Sequence, residues 1–440
     1  MQTPQPSSHG SHQSHYSASD APSEVAPGEI AVGVVIGRAS EYFDFFVYGI
    51  ASVLVFPSIF FPFMERLQGT LWSFAIFSLA FISRPVGTIV FMWIQRRWDR
   101  GTKLTAALFL LGSCTAGIAF LPAYSQWGIY SIILLALFRL GQGVALGGSW
   151  DGLPSLLALN APKHRRGWYA MMGQLGAPVG FMIAASLFAY IHSSLSTTDF
   201  LDWGWRYPFF AAFAINVVAL FARLRLVLTH EYERSLGERE LKPANVVELF
   251  QKKGRHVVIG AAAALASYAL FHIVTIFPLS WILLYSDQSV SQFLVVQVFG
   301  AALAACAVVA SGAIADRLGR TRTLAALAAG IAMFSGFAPT LLGSGELGQD
   351  VFVLVGFVLL GLSYGQAAGS VTANFGSKFR YTGAALTSDL AWLIGAAFAP
   401  LIVLGLTAKF GLAVVGVYLL SGAVCTLIAL GVNYYLKLQN

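Results

Sequence analysis

Gly312-Ala313-Ile314-Ala315-Asp316-Arg317-Leu318-Gly319-Arg320-Thr321-Arg322-Thr323-Leu324 is a short charged loop between two long apolar runs. Met92-Trp93-Ile94-Gln95-Arg96-Arg97-Trp98-Asp99-Arg100-Gly101-Thr102-Lys103-Leu104 holds the same place half a chain earlier, at an offset of 220 (312 − 92) in 440 residues. Arg97 matches Arg317, Arg100 matches Arg320, and Leu104 matches Leu324. Stretches of ~20 mostly apolar residues flank both loops, the length a helix needs to cross a hydrocarbon core about 30 Å thick. The pair predicts a membrane protein whose second half repeats its first, an organisation suited to rocking about a midplane site.

Outward from these loops, twelve such stretches can be read. Six lie at 31–56, 70–94, 103–122, 128–158, 165–190 and 207–228, and six at 257–284, 290–314, 324–343, 351–374, 382–406 and 411–436. Pro57 and Pro62 stop the first, Pro122 ends the third, and Arg96, Arg97, Asp99, Arg100 and Lys103 follow the second. Composition agrees: 57% of residues are hydrophobic and 11% charged, with mean hydropathy +0.70. Soluble domains carry about 25% charged residues, so a soluble enzyme, a nucleic-acid binder and a disordered scaffold are excluded as classes. Lipid offers the backbone no hydrogen-bond partner, which requires helices here, and barrel strands would be short and alternating. The expected fold class is therefore all-α integral membrane, twelve transmembrane helices in two six-helix bundles. The expected units are a disordered cytoplasmic tail (1–29), an N-terminal bundle (30–228), a cytoplasmic linker with an interfacial helix (229–256) and a C-terminal bundle (257–440).

Charge sets the expected orientation. The net charge is +7, and with the N-terminus inside, 21 of the 27 Lys and Arg residues fall in inner segments against three (Arg66, Arg206, Lys409) in outer ones. That asymmetry predicts both termini in the cytoplasm. The first ~28 residues are rich in Ser, Pro and His without an apolar core, so they are not a signal peptide. His9, His12 and His15 recur every third residue. They read as part of a polar tail rather than a metal site, because no other ligand type accompanies them. Cys114, Cys306 and Cys425 lie inside apolar stretches and imply no disulfide framework.

The loop at 312–324 fits the Gly-x-x-x-Asp-Arg-x-Gly-Arg signature of the major facilitator superfamily, and Arg139-Leu140-Gly141-Gln142-Gly143 fits its fourth-helix Arg-x-x-Gln-Gly pattern. More narrowly, the chain resembles the metabolite:proton symporters, whose members move carboxylates, shikimate, or proline and betaine. That resemblance rests on Glu41-Tyr42-Phe43-Asp44-Phe45-Phe46-Val47-Tyr48-Gly49, Phe81-Ile82-Ser83-Arg84-Pro85-Val86-Gly87, Gly147-Gly148-Ser149-Trp150, Trp203-Gly204-Trp205-Arg206-Tyr207-Pro208-Phe209 and Arg380-Tyr381-Thr382-Gly383. The chain departs from the pattern at four places. Met92 stands for Gly, Arg96 for Asp, Ser149 for Glu, and Leu228-Thr229-His230-Glu231-Tyr232 for Glu-Thr-Pro-x-Phe. Asp151 lies two residues beyond Ser149, half a helical turn away, and faces another direction.

Ionisable residues inside a span cost ~2.5–3.5 kcal/mol on insertion scales, so they are functional candidates. Glu41 and Asp44 are three apart on one helix face, where like charges repel. Glu41, Asp44, Arg139 and Asp151 are the proton-coupling candidates; the alternative for the two carboxylates is a structural ion pair with Arg38, Arg84 or Arg139. Arg139 sits too deep to snorkel and has the fork that a substrate carboxylate would meet. The substrate-binding candidates are Tyr42, Arg139, Gln142, Gln174, His272, Trp281, Tyr364, Asp389 and Trp392. Arg84 reads as structural. So do Gly143, Gly147, Gly176 and Gly180, whose four-residue spacing lets helices approach. The loops read as gates, with Arg96, Arg97, Asp99, Arg100, Asp316, Arg317 and Arg320 as gating residues. In the family pattern the Asp meets a helix N-terminus. Asp316 can do so and Arg96 cannot, which predicts a weakened latch in the first half that biases the protein toward inward-facing states.

These readings combine into a secondary transporter in a bacterial inner membrane, taking up a small organic anion or zwitterion with protons by alternating access. The alternatives are an uncoupled facilitator or exporter and, from another class, a transporter-like metabolite sensor. No Walker-type Gly-x-x-x-x-Gly-Lys-Ser/Thr run is present, and no enzyme activity, cofactor, metal or nucleic-acid partner is expected. The expected partners are the substrate, H+ and the bilayer, with the protein a monomer.

Overall fold

The computed structural model describes residues 27–149, 163–227, 242–372, 375–376 and 378–438. Asp151, the 9–15 histidines and the 228–232 motif lie outside the described residues. Twelve long helical segments are present among the described residues: α1 (Pro27–Leu54), α2 (Arg66–Arg97), α3 (Arg100–Ala119), α4 (Ile129–Ser149), α5 (Arg166–Ser194), α6 (Arg206–Val227), α7 (Val246–Tyr285), α8 (Val290–Leu318), α9 (Arg320–Gly343), α10 (Gly345–Thr372), α11 (Arg380–Phe410) and α12 (Ala413–Leu438). Eleven of them, α2 to α12, are long and apolar enough to cross a membrane. In α1 the charges of Arg38, Glu41 and Asp44 interrupt the apolar run, yet α1 packs along α5 and α6 inside the bundle.

The packing repeats when six is added to each helix number. The pairs α1–α5, α1–α6, α2–α4, α3–α4 and α3–α6 have counterparts in α7–α11, α7–α12, α8–α10, α9–α10 and α9–α12. The two halves meet chiefly through α5 with α8 and α2 with α11, which the same operation exchanges. Helices α3, α6, α9 and α12 turn large apolar side chains outward, including Phe109, Phe221, Met333, Phe337, Val417 and Ile428. An apolar skin of this extent suits lipid rather than water.

Local sequence explains where helices break. Val55 ends the first helical run, and Phe56-Pro57 restarts one over Phe56–Phe60. Ile276 interrupts α7, and Phe277-Pro278 restarts it. The two Phe-Pro pairs lie 221 residues apart (278 − 57), so the break is itself part of the repeat. Proline suits the first turn of a restarted helix because its missing N–H has no partner to lose there. Matching breaks divide α5 between Met172 and Gly176 and α11 between Gly395 and Ala399. At its basic end α7 runs unbroken from Val246, so the segment expected on the membrane surface continues into the seventh span. Asn245 caps it, accepting from the Val247 and Glu248 amides at 2.9 and 3.2 Å, and no Gly or Pro breaks the run before Gly254. Leu249 is buried with Ala244, Val257, Phe375, Phe379 and Leu386.

Glycines bring the seams close. A Cβ on Gly143 would lie 2.6 Å from Ala80 Cα across α2–α4, and one on Gly180 would lie 2.6 Å from Phe43 N across α1–α5. Gly147 and Gly176 sit on the same two seams.

Candidate functional site

Polar side chains from two other helices, α3 and α6, converge on Asp44, which is 2% exposed. The Thr115 hydroxyl of α3 lies 2.8 and 2.9 Å from its two carboxylate oxygens, and Asn216 of α6 donates to Oδ2 at 3.1 Å. Ser40 in turn donates to Asn216 Oδ1 at 3.1 Å. Gln142 donates to the Thr115 hydroxyl at 2.9 Å, and Arg139 Nη1 donates to Gln142 Oε1 at 3.0 Å. Asp44 and Arg139 are thus joined through two uncharged side chains rather than as an ion pair. Arg139 Nε donates to the Phe77 carbonyl at 3.1 Å, and its guanidinium sits 3.9 Å above the Tyr48 ring and 4.7 Å from that of Phe77. Aromatic faces are favourable neighbours for a cation out of water.

Glu41 does not join this network. It pairs with Arg38 at 2.7 Å and lines a cavity with Tyr42, Phe45, Phe81, Arg84, Ser149 and Trp392. The two carboxylates expected to repel along one face have therefore found separate partners, because sixty degrees of helix rotation points one at α3 and α6 and the other at the cavity. Ser149, at the place of the family's Glu, donates to the Leu146 carbonyl at 3.0 Å, and Glu41 supplies the carboxylate of that cavity instead.

Arg84 does more than pack. Its Nε lies 2.8 Å from Asp389 Oδ1, Thr88 donates to Asp389 Oδ2 at 2.5 Å, and both contacts cross from α2 to α11. The Arg84 guanidinium lies 5.8 Å from the Trp392 ring centre. Trp392 packs on Tyr268 and Phe271 at 4.9 Å each and on Phe81 at 5.8 Å. His272 sits among Phe45, Phe77 and Phe81 at 5.3–5.8 Å, fully buried, and neither ring nitrogen has a hydrogen-bond partner. The Tyr42 and Tyr364 hydroxyls meet across α1 and α10.

Behind this layer a second cavity is apolar, lined by Phe46, Phe181, Phe271, Val308 and Phe357 among others. The two cavities measure about 30 and 20 Å³, each enough for about a water or two. Among the described residues, contacts bridge both ends of the interface. On the face carrying the charged loops, Asp316 accepts from the Gly167 and Trp168 amides at 2.6 and 3.1 Å, at the N-terminus of α5. This is the carboxylate-to-helix contact expected of it, and Gln366 adds a 3.3 Å bond to the Gly167 carbonyl. On the opposite face, Ser78 donates to the Ala397 carbonyl at 2.8 Å and His192 meets Ser291 at 2.8 Å.

At the first-half loop the expected gap is filled by other residues. Arg96 and Arg97 are exposed, and Asp99 caps its own helix, accepting from Thr102 N at 2.7 Å. Gly319, which matches Asp99, instead turns the chain with φ of 84°, a conformation that favours glycine. A contact between the halves is made here by Lys103, which is 1% exposed and donates to the Tyr381 hydroxyl at 2.7 Å, while that hydroxyl donates to Gln95 at 3.0 Å. Arg317 and Asp316 line a surface cleft with His164 and Arg165.

Of the substrate-binding candidates, Tyr42, Trp392, Tyr364, His272 and Asp389 lie about the central layer, and Arg139 and Gln142 lie in the Asp44 network. Trp281 packs on Tyr285 and Phe277, beyond the α7 break, and Gln174 is buried at the α5 break; neither lines a central cavity. Sequence reading missed Thr88, Thr115, Asn216, Gln95, Lys103 and Tyr381. Single Thr, Asn and Gln residues in apolar runs give little signal, and Lys103 reads as one more loop cation.

Three comparisons bear on this arrangement. A family model described as Major Facilitator Superfamily matches residues 126–400. "Inner membrane metabolite transport protein YhjE" of Escherichia coli (strain K12) is 35% identical over 421 residues, 94% of this chain and 95% of its own. The "Shikimate transporter" of the same strain is 31% identical over 414 residues, 89% and 91% of the two chains. The crystal structure of a D-xylose-proton symporter superposes with a TM-score of 0.67 at 17% identity, covering 90% of this chain and 96% of its own, a likeness of fold.

Proposed function

This chain belongs to the major facilitator superfamily as a multi-pass membrane transporter, and from that premise we propose that it takes up a small carboxylate or zwitterion together with protons by alternating access. The observation that carries the reading is the relay from Asp44 through Thr115 and Gln142 to Arg139. A carboxylate sealed from water and linked to a cation by groups that both donate and accept is suited to gaining and losing a proton while the cation responds. Shikimate, the compound in the name of a 31% identical relative, is a carboxylate and heads the panel to be tried. The face with the charged loops is assigned to the cytoplasm of a bacterium, because lysine and arginine gather there. Residues 30–228 and 257–440 act as the two moving bundles.

The test is uptake of labelled shikimate, proline and betaine into proteoliposomes with and without an inward proton gradient. A symporter accumulates substrate only with the gradient, and Asp44→Asn removes accumulation while leaving exchange of substrate for substrate. Accumulation that survives Asp44→Asn overturns the coupling role. The second reading, an uncoupled facilitator, is favoured by Ser149 in place of the family's Glu; it equilibrates substrate whatever the gradient. A sensor moves nothing.

A further inference from the structure

Resting on that transport reading, we infer that Arg84 is a binding point for the carboxylate of the transported molecule, and that Asp389 vacates Arg84 by taking up a proton. The argument begins with charge in a nearly dry space. Among the described residues the cavity wall holds Arg38 and Arg84 against Glu41, and Asp389 behind Arg84 balances the second arginine. A substrate carboxylate entering here adds one negative charge. Isolated charges out of water are costly, and one proton on Asp389 restores neutrality. At this site one proton on Asp389 accompanies each added carboxylate, apart from any proton carried on Asp44.

Geometry supports the exchange. The ion pair engages Arg84 through Nε, and among the described residues Asp389 is the acidic partner it has. The terminal amino groups keep the planar fork that a second carboxylate meets with two hydrogen bonds. Trp392, beside the guanidinium and in the same cavity wall, offers a flat surface for the body of such a molecule. The pair also spans the two halves, so releasing Asp389 undoes a contact between α2 and α11. Binding, protonation and opening are one event at this point. The proton bonds to an Asp389 carboxylate oxygen as the ion pair parts. It leaves to the aqueous phase when Arg84 recovers Asp389 and the substrate departs.

Other groups face Asp389 and must be told apart from it. Arg84 stands on α2; Arg38, Glu41 and Tyr42 line the cavity from α1. Tyr268 and His272 approach from α7 and Tyr364 from α10, all around Trp392. Glu41 and His272 are ionisable as well, so the test rests on substitution at Asp389 itself.

Spin labels at Trp98→Cys and Leu318→Cys, both exposed positions at the charged-loop face, report the opening of that face when Cys114, Cys306 and Cys425 are serine. Between about pH 8 and about pH 5 the unsubstituted gate should shift to longer distances, with the separated population rising roughly tenfold. Asp389→Asn should show the long distances at both pH values, and Asp389→Glu should respond like the parent. A parent gate that ignores pH, or an Asp389→Asn gate that still follows it, overturns the inference. A parent gate that ignores pH overturns the inference without any substitution at Asp389, and where Asp389→Asn fails to fold, Asp389→Ser and the carboxylate series on Arg84→Gln take its place. Acetate, benzoate and cyclohexenecarboxylate at the lower pH should change the parent's distances and not those of Arg84→Gln. If none changes them, or both proteins respond alike, Arg84 is not the carboxylate's partner. These outcomes leave the transport reading standing, because the uptake assay tests it by itself.

Discussion

Asp44 sits where water cannot reach it, so its hydrogen bonds take the place of hydration. Thr115 is the pivotal member because its hydroxyl contacts the carboxylate and accepts from Gln142. Thr115→Val keeps the shape and deletes both bonds, leaving a buried amide and a buried carboxylate short of partners. Such losses cost about 2 kcal/mol each, more at a charge. The variant should unfold at a lower temperature in detergent and lose about tenfold in gradient-driven uptake, the effect of about 1.4 kcal/mol. Thr115→Ser should recover both. A Thr115→Val protein with parental stability and uptake would show that the relay is dispensable. None of this could be read from one threonine in an apolar run, whereas Asp44 and Arg139 declared themselves by the cost of a charge in lipid.

Helices and loops were the more legible level. Length and hydropathy placed the spans, and the repeated loops implied that one half copies the other. The paired Phe-Pro breaks at 56–57 and 277–278 were also present in the sequence, but become visible as a pair only when the restarted helices are seen. The first-half latch was the element least accessible to motif reading. Arg96 in place of Asp predicts a weak closure at that position, and a contact between the halves lies at another pair of side chains: Lys103, one turn into α3, reaches Tyr381. A motif compares like positions and cannot see a substitute seven residues away. It follows that Lys103→Met should open the charged-loop face far more than Arg96→Asp. With Ser149→Cys as a reporter in the cavity wall, maleimide labelling from that face should rise about tenfold for Lys103→Met, the effect of losing a charged hydrogen bond of about 1.5 kcal/mol. Arg96→Asp should leave it near the parental rate, since Arg96 is exposed. The reverse ranking would return the gate to the motif position.

Across the whole molecule, α2–α11 and α5–α8 each carry contacts at both ends, and the two central cavities hold only a few waters. A substrate of several heavy atoms has no room until one end parts. Alternating access then requires that each end open in turn while the other holds, a shift between states of nearly equal free energy. Locking either end should therefore stop transport, although no substrate-binding side chain is touched. His192→Cys with Ser291→Cys puts thiols at two positions whose present side chains meet at 2.8 Å on one face, and Lys103→Cys with Tyr381→Cys puts them at two positions on the other whose longer side chains meet at 2.7 Å and so need a longer linker. A thiol-to-thiol linker that a reductant can cleave should abolish uptake in each double variant, and reduction should restore it in the His192/Ser291 pair. Because the Lys103/Tyr381 pair removes a contact as well as providing a lock, its unlinked control is the same protein before linking. Uptake that persists through a complete His192–Ser291 link would mean that the substrate path does not run between α5 and α8, and that the two halves do not part there.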